Sequence, residues 1–142
     1  MISKDRQKHI FGVANFMKSY AVSQGLSQEE IEDIYTLGLL HDIGYEFLNK
    51  KEYAKHNVVG GGILKKQNYK FWKEVYYHGT PNCKYQSRLL DLLNWADMRI
   101  DGQGKIVSFD ERLKDASLRY STPIENLSCY KIICELKAKG YK

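Results

Sequence analysis

Apolar residues recur at spacings of three and four along most of the chain, and this periodicity restricts the fold more than any other feature. Successive side chains of an α-helix point about 100° apart, so residues at these spacings share one face. Ile10, Val13 and Met17 mark such a face on a helix predicted from about residue 3 to 24, which ends at Gly25. We find no segment with the polar–apolar alternation of a half-buried strand. The pattern therefore predicts an all-α fold.

Helix-capping sequences divide the chain further, because a serine or threonine followed three residues later by glutamate opens a helix. Such capping boxes are Ser27 with Glu30, Ser108 with Glu111, and Thr122 with Glu125, the last having Pro123 at the favoured first helical position. Less regular helices are predicted near residues 53–67, 70–77 and 86–99. Three glycines, Gly60 to Gly62, lie inside the first of these. Each costs a helix about 1 kcal/mol relative to alanine, so either the helix breaks or another backbone or a ligand approaches closely there.

Length and composition suit one domain. The chain has 142 residues, 43% of them hydrophobic, which is enough to bury a core. We predict that residues 1–142 form a compact single-domain bundle of about six or seven helices. The N-terminal segment is too polar for a signal peptide, no apolar run approaches membrane-spanning length, and the three cysteines lack disulfide or zinc-thiolate spacing. These features predict a cytoplasmic protein without a membrane partner.

A formal net charge of +5 favours an anionic partner. Much of the excess lies in the lysine-rich segment from Lys50 to Lys73. Two interpretations stay open for this segment, namely a solvated helix face and a field that attracts phosphates. Because the chain has no helix-turn-helix signal and no interleaved basic and aromatic motif, the sequence argues against nucleic acid as the partner.

Histidine and aspartate supply the residues that suggest chemistry. His41 and Asp42 adjoin in LLHDIGYEF at the end of the second predicted helix, where both can reach one ion. The full candidate set is His9, His41, Asp42, His56, His78 and Asp97. Imidazole nitrogens and carboxylate oxygens without thiolates suit a divalent Mn, Fe, Co, Ni or Zn ion. Taken singly, His9 or His56 is more often a hydrogen-bonded core histidine than a metal ligand.

The order of these residues, together with the segments LLHDIG, WADMRIDG and a later ERL, resembles the sequence pattern of the HD superfamily of metal-dependent phosphohydrolases. The resemblance covers nearly all of residues 6–112. The resemblance implies an HD-domain-like helical bundle whose helices each contribute a ligand to a central metal site. It implies a first ion held by His9, His41, Asp42 and Asp97. It also implies a second ion held by His56 and His78, with Asp42 bridging the two.

Two departures from the family pattern concern the second ion. Phosphodiesterase-type members often have a lysine shortly after the aspartate, where this chain has Tyr45 and Glu46. Some dinuclear members have paired histidines where this chain has Tyr77 and His78. One bound ion and two bound ions therefore both remain open.

The resemblance further implies hydrolysis by a metal-bound water, and the candidate catalytic residues are Asp42 and Glu46. Glu46 would orient or deprotonate the water if the helix continues one turn beyond Asp42, and a solvent-facing position is the alternative. Asp101, four residues after Asp97, is expected to support a histidine ligand. The candidate phosphate-binding residues are Arg6, Lys55 and Arg99.

The expected substrate is a small phosphorylated molecule, with a phosphomonoester or phosphoanhydride of a nucleotide as the leading choice. The alternative is a non-catalytic metal- or nucleotide-binding HD module that acts through a partner. A nucleic-acid-binding protein and a metal-dependent oxygenase are further alternatives. The sequence is compatible with a homo-oligomer and does not fix the oligomeric state.

Overall fold

A computed structural model of the protein describes residues 2–142, and Met1 lies outside this range. The described residues form seven α-helices: α1 Lys4–Ser23, α2 Gln28–Leu40, α3 His56–Lys66, α4 Trp72–Tyr77, α5 Arg88–Arg99, α6 Phe109–Tyr120 and α7 Ser128–Ala138. Three short 3-10 helices span Ile43–Phe47, Lys50–Lys55 and Ile124–Asn126. Within residues 2–142 the only β pairing is an isolated bridge between Ile100 and Ile106. The predicted all-α bundle of six or seven helices is confirmed.

None of the helices described is long and apolar enough to cross a membrane.

Two of the three predicted capping boxes are formed. Ser27 and Ser108 each accept a hydrogen bond from the backbone N–H of the glutamate three residues later, and each glutamate accepts one in return. The third prediction, at Thr122, is wrong. The Thr122 hydroxyl donates to the carbonyl of Tyr120, and Pro123 has an extended ψ of 142°. Consequently α7 begins only at Ser128.

The three glycines of α3 do not break the helix, which runs through them from His56 to Lys66. A Cβ on Gly61 would lie 2.5 Å from the Cα of Tyr76 in α4. A Cβ on Gly60 would lie 3.0 Å from the backbone nitrogen of Gly44. Of the two alternatives left open by the sequence, the structure therefore shows the close approach of another backbone. This approach places α3 directly against α4 and the turn that follows α2.

Helix α5 lies between two apolar clusters. The first includes the fully buried Val13, Leu37 and Leu93 of α1, α2 and α5. The second joins α5 to α6 and α7, and the partly buried Trp95 packs against both clusters. Because α1, α2 and α5 share the first cluster, α2 and α5 both pack against the buried face of α1.

Candidate metal centre

The structure brings all six sequence-predicted metal ligands to one cavity. They come from five parts of the bundle: His9 from α1, His41 and Asp42 from the residues directly after α2, His56 from the start of α3, His78 from the residue directly after α4, and Asp97 from α5. Five of them line the cavity, whereas His41 is completely buried beneath it. The convergence follows from the packing of α1, α2 and α5 around one core and of α3 against α4.

Each of the four imidazoles is oriented by a backbone carbonyl. The Nδ1 atoms lie close to the carbonyl oxygens of Asp101 (His9, 3.0 Å), Gly38 (His41, 2.6 Å), Tyr53 (His56, 2.9 Å) and Val75 (His78, 2.5 Å). Because a carbonyl oxygen only accepts, Nδ1 carries the hydrogen and donates. The Nε2 atom of each neutral ring then keeps a free lone pair. Metal-ligating histidines in proteins are held in the same manner.

The first group of donor atoms consists of both carboxylates and two histidines. His9 Nε2 lies 2.8 Å from Asp97 Oδ1 and 3.9 Å from Asp42 Oδ2. His41 Nε2 lies 3.3 Å from Asp42 Oδ2 and 3.8 Å from Asp97 Oδ1. Metal–ligand bonds of about 2.0–2.2 Å place neighbouring ligand atoms about 3–3.5 Å apart. The spacing of this group is therefore close to that of a metal site.

The second group contains His56 and His78. Their Nε2 atoms are 3.2 Å apart, and they lie 3.5 Å and 3.4 Å from Asp42 Oδ1. Since both rings use Nδ1 as a donor, two lone pairs face each other across this gap. A cation between them would relieve the repulsion. Asp42 thus presents Oδ2 to the first group and Oδ1 to the second, which is the geometry of a bridging carboxylate.

His41 provides the clearest test of whether these residues fit a metal. Its Nε2 atom is buried and has no hydrogen-bond partner. Leaving a buried polar atom unpaired costs about 1–3 kcal/mol, and a cation at the first group would satisfy it. The nitrogen–oxygen donor set, without cysteine, fits a divalent ion. By geometry, His9, His41 and Asp97 form one set that could hold an ion, and His41, Asp42 and His78 form another.

The electrostatics of the centre also favour a cation. Burial opposes a charge on His41, but the carboxylates of Asp42 and Asp97 outweigh it and raise the pKa of His41 to about 10. Burial alone would raise the pKa of Asp42, yet His41 holds that pKa well below its usual value. Burial lowers the pKa of His56 to about 4, so this ring is neutral at pH 7 and offers a lone pair. Two ionised carboxylates are therefore buried where positive charge is stabilised.

Of the predicted phosphate-binding residues, the structure brings only Arg6 to the cavity. Its Nη1 lies 3.3 Å from Asp42 Oδ2, and its guanidinium lies 4.1 Å from the centre of the Tyr45 ring. Lys55 is exposed and does not line the cavity. Arg99 donates to the carbonyls of Val107 and Lys142, which holds it away from the centre.

The structure does not place Glu46 where the sequence suggested. Helix α2 ends at Leu40, and the chain turns through the 3-10 helix Ile43–Phe47 instead of continuing. The exposed Glu46 carboxylate accepts a hydrogen bond from the backbone N–H of Ile2 at 2.9 Å and does not line the cavity. The alternative interpretation, an acid that faces solvent, agrees with this position.

Asp101 supports a histidine ligand, but through a different atom from the one expected. Its backbone carbonyl accepts from His9 Nδ1. Its carboxylate instead accepts from the backbone N–H groups of Gln103 and Lys105 and so closes the loop after α5. Spacing along a helix identified the residue, whereas the loop geometry decides which oxygen is used.

Sequence reasoning missed several residues that line the cavity, whose volume is about 720 Å³. They include Tyr45, Tyr53, Asn57, Thr80, Arg112 and Arg119. The Tyr45 ring stacks on the imidazole of His56 with 4.3 Å between centres. Arg112 donates from Nε to the backbone carbonyl of Asp97 at 3.3 Å. Arg112 belongs to the ERL segment, so the sequence pointed to this residue. It did not show that α6 turns Arg112 toward the cavity.

The chain belongs to the HD domain family, since the model of that family matches residues 6–125. This family is one of metal-dependent phosphohydrolases, and its members bind divalent metal ions. Comparison with curated proteins gave no match, and neither did comparison with solved structures. The family assignment and the buried histidine–aspartate centre agree with each other, because the matched residues include every candidate ligand.

Proposed function

We propose that this protein is a metal-dependent phosphohydrolase that cleaves a phosphomonoester or phosphoanhydride of a nucleotide. The observation that carries the proposal is the pair of adjoining donor groups that share Asp42, the first of which contains the unpaired Nε2 of His41. In this proposal His9, His41, Asp42 and Asp97 would hold the first ion. His56, His78 and Asp42 would hold a second ion.

A divalent ion in such a centre lowers the pKa of a bound water toward neutrality and polarises a phosphoryl oxygen. The protein contributes the orientation of the four imidazoles, which the carbonyls fix before any ligand binds. Arg6 adds a positive charge beside Asp42, where a phosphoryl group would approach, and Tyr45 holds the guanidinium in place.

The shape of the cavity supports a small-molecule substrate. Its volume of about 720 Å³ lies within the range of ligand sites, about 300–1,000 Å³. Tyr45 and Tyr53 pack edge to face with 4.9 Å between ring centres and give the cavity an aromatic wall. The imidazole of His56 and the guanidinium of Arg6 already cover the Tyr45 ring, so Tyr53 is the residue that could stack a base, which supports a nucleotide rather than inorganic phosphate.

Elemental analysis of the purified protein, followed by phosphate release from a panel of nucleotides with Mn, Fe, Co, Ni and Zn, tests the proposal. Asp42→Ala should lose metal and hydrolysis while helicity is kept, since one side chain serves both donor groups. Asp110→Ala, which removes an exposed carboxylate from α6, is the matched control and should keep both. Full activity of Asp42→Ala refutes the mechanism.

The same experiment separates the enzyme from a non-catalytic module. Metal that binds in the expected amount without turnover of any nucleotide or generic phosphoester, with any of these ions, favours the module. A protein that binds no divalent metal contradicts the enzyme and the metal-binding form of the module.

A further inference from the structure

Arg112 is a cation at the cavity that the proposed mechanism does not use. Its Nε is fixed to the carbonyl of Asp97, the backbone of a proposed metal ligand. Among residues 2–142 no acidic side chain forms an ion pair with its guanidinium. Arginines fixed in this manner, with donors left over, are suited to bind phosphate through two parallel hydrogen bonds.

A second arginine follows on the same face of α6. Arg119 lies two helical turns after Arg112, about 10 Å further along the axis, and also lines the cavity. Between them the wall is formed by Ala116, which is small and 1% exposed. The Ala116 side chain is therefore too small to separate the two guanidinium groups.

The position of Arg119 depends on Gly102 in the loop after α5. A Cβ on Gly102 would lie 2.9 Å from Nη1 of Arg119, so the guanidinium rests on the glycine backbone. Arg119 also pairs with Asp115 at 2.5 Å, one turn earlier on α6. These contacts hold the charged group at the cavity although the side chain is 39% exposed.

We propose that Arg112 and Arg119 form a second anion subsite, which binds phosphate groups of the substrate other than the one at the metal centre. The inference rests on the proposed function and narrows its substrate class to nucleotides with a chain of two or more phosphates. Arg6 lies beside Asp42 and serves the group at the centre, whereas the α6 arginines extend along the wall. A nucleoside monophosphate leaves this wall without an anion.

Calorimetric binding of two probes to the Mn-loaded protein, at one fixed free Mn concentration, tests the subsite. The probes are the phosphonate analogue of adenosine monophosphate, whose C–P bond replaces the phosphomonoester, and β,γ-methylene-ATP, a triphosphate analogue with a non-hydrolysable terminal linkage. The wild type should bind the triphosphate at least about tenfold more tightly. Arg119→Gln should weaken triphosphate binding by about tenfold, the effect of one charge-assisted pair, and leave the monophosphate unchanged.

Two further variants keep the test specific. Gly102→Ala retains every charge but displaces the Arg119 guanidinium, so it should lose part of the preference for the triphosphate. Lys114→Gln removes an exposed cation from α6 that does not line the cavity, and should change neither affinity. A general loss of positive charge would affect Lys114→Gln and spare Gly102→Ala.

Equal affinity of the wild type for both probes, or an unchanged preference in Arg119→Gln, overturns the subsite. Failure of both probes to bind a protein that hydrolyses other phosphoesters also overturns it, and leaves the proposed function standing. The proposed function itself fails only on the metal and turnover measurements of Asp42→Ala and the wild type, which do not involve α6.

Discussion

Replacement of Gly61 by alanine should weaken the protein at the contact that positions His56 and His78. The added Cβ would lie 2.5 Å from the Cα of Tyr76 and 2.7 Å from its nitrogen, both of which are backbone atoms. Ordinary contact begins near 3.4 Å, so α3 and α4 must separate by about 1 Å.

The magnitude follows from two opposing terms. Overpacking of this kind costs about 1–3 kcal/mol, whereas alanine gains about 1 kcal/mol over glycine within a helix. We expect Gly61→Ala to lose up to about 2 kcal/mol of unfolding free energy. Gly62→Ala is the matched control, because no atom lies within 4 Å of its added Cβ, and it should gain up to about 1 kcal/mol.

The same change should affect one metal position more than the other. His56 opens α3 and His78 follows α4, with their Nε2 atoms 3.2 Å apart. Metal–ligand distances tolerate only about 0.2 Å, so a separation of the helices should release the second ion and retain the first. Urea denaturation gives the stability, and metal stoichiometry after dialysis gives the occupancy. If Gly61→Ala matches Gly62→Ala in both measurements, the helix contact does not position these histidines.

Two further predictions concern pH and Glu46. In metal-depleted protein, burial opposes a charge on His41, but the carboxylates of Asp42 and Asp97 outweigh it and raise the pKa from 6.5 to about 10. The stabilisation of the folded protein by the protonated His41 is therefore complete below pH 6.5, and it is lost as the pH rises through about 10. Metal-loaded protein, in which the proposed ion would bind His41 Nε2, should not lose stability in this pH range. Denaturation curves with and without chelator measure the difference, and identical pH profiles contradict the reasoning. Glu46→Gln should retain nearly full hydrolysis in the phosphate-release assay, because the carboxylate contacts Ile2 outside the cavity, and a loss of about a hundredfold or more would restore Glu46 as a catalytic base.

Local patterns explain why so much of the bundle could be predicted from the sequence. The stripe through Ile10 and Met17 reports a helix because its period is that of the helix itself. The boxes at Ser27 and Ser108 are formed within four residues and need no tertiary information. At Thr122 the same pattern failed, because Pro123 is extended and α7 begins only at Ser128.

The candidate site shows the same division between local and tertiary information. The motif LLHDIG identifies His41 and Asp42 as candidate ligands without any knowledge of how the helices pack. The position of Glu46 depended on whether α2 continues, and a 3-10 turn decided against it. Arg112 could not be assigned from spacing, because only the packing of α6 against α5 turns it toward the centre. The six ligands could be predicted from their order along the chain, whereas the direction of Glu46 and Arg112 depends on how the elements turn and pack and could not.

His9 and Asp97 approach within 2.8 Å although 88 positions separate them in the chain. An ion held by both would act as a removable cross-link between the first helix and the fifth, closing a loop that thermal motion otherwise opens. Such a link is worth about 2.7 kcal/mol when the free ion is about 100 times its Kd, and nothing when the ion is withdrawn. The resistance of this protein to unfolding and proteolysis would then follow the metal supply around it.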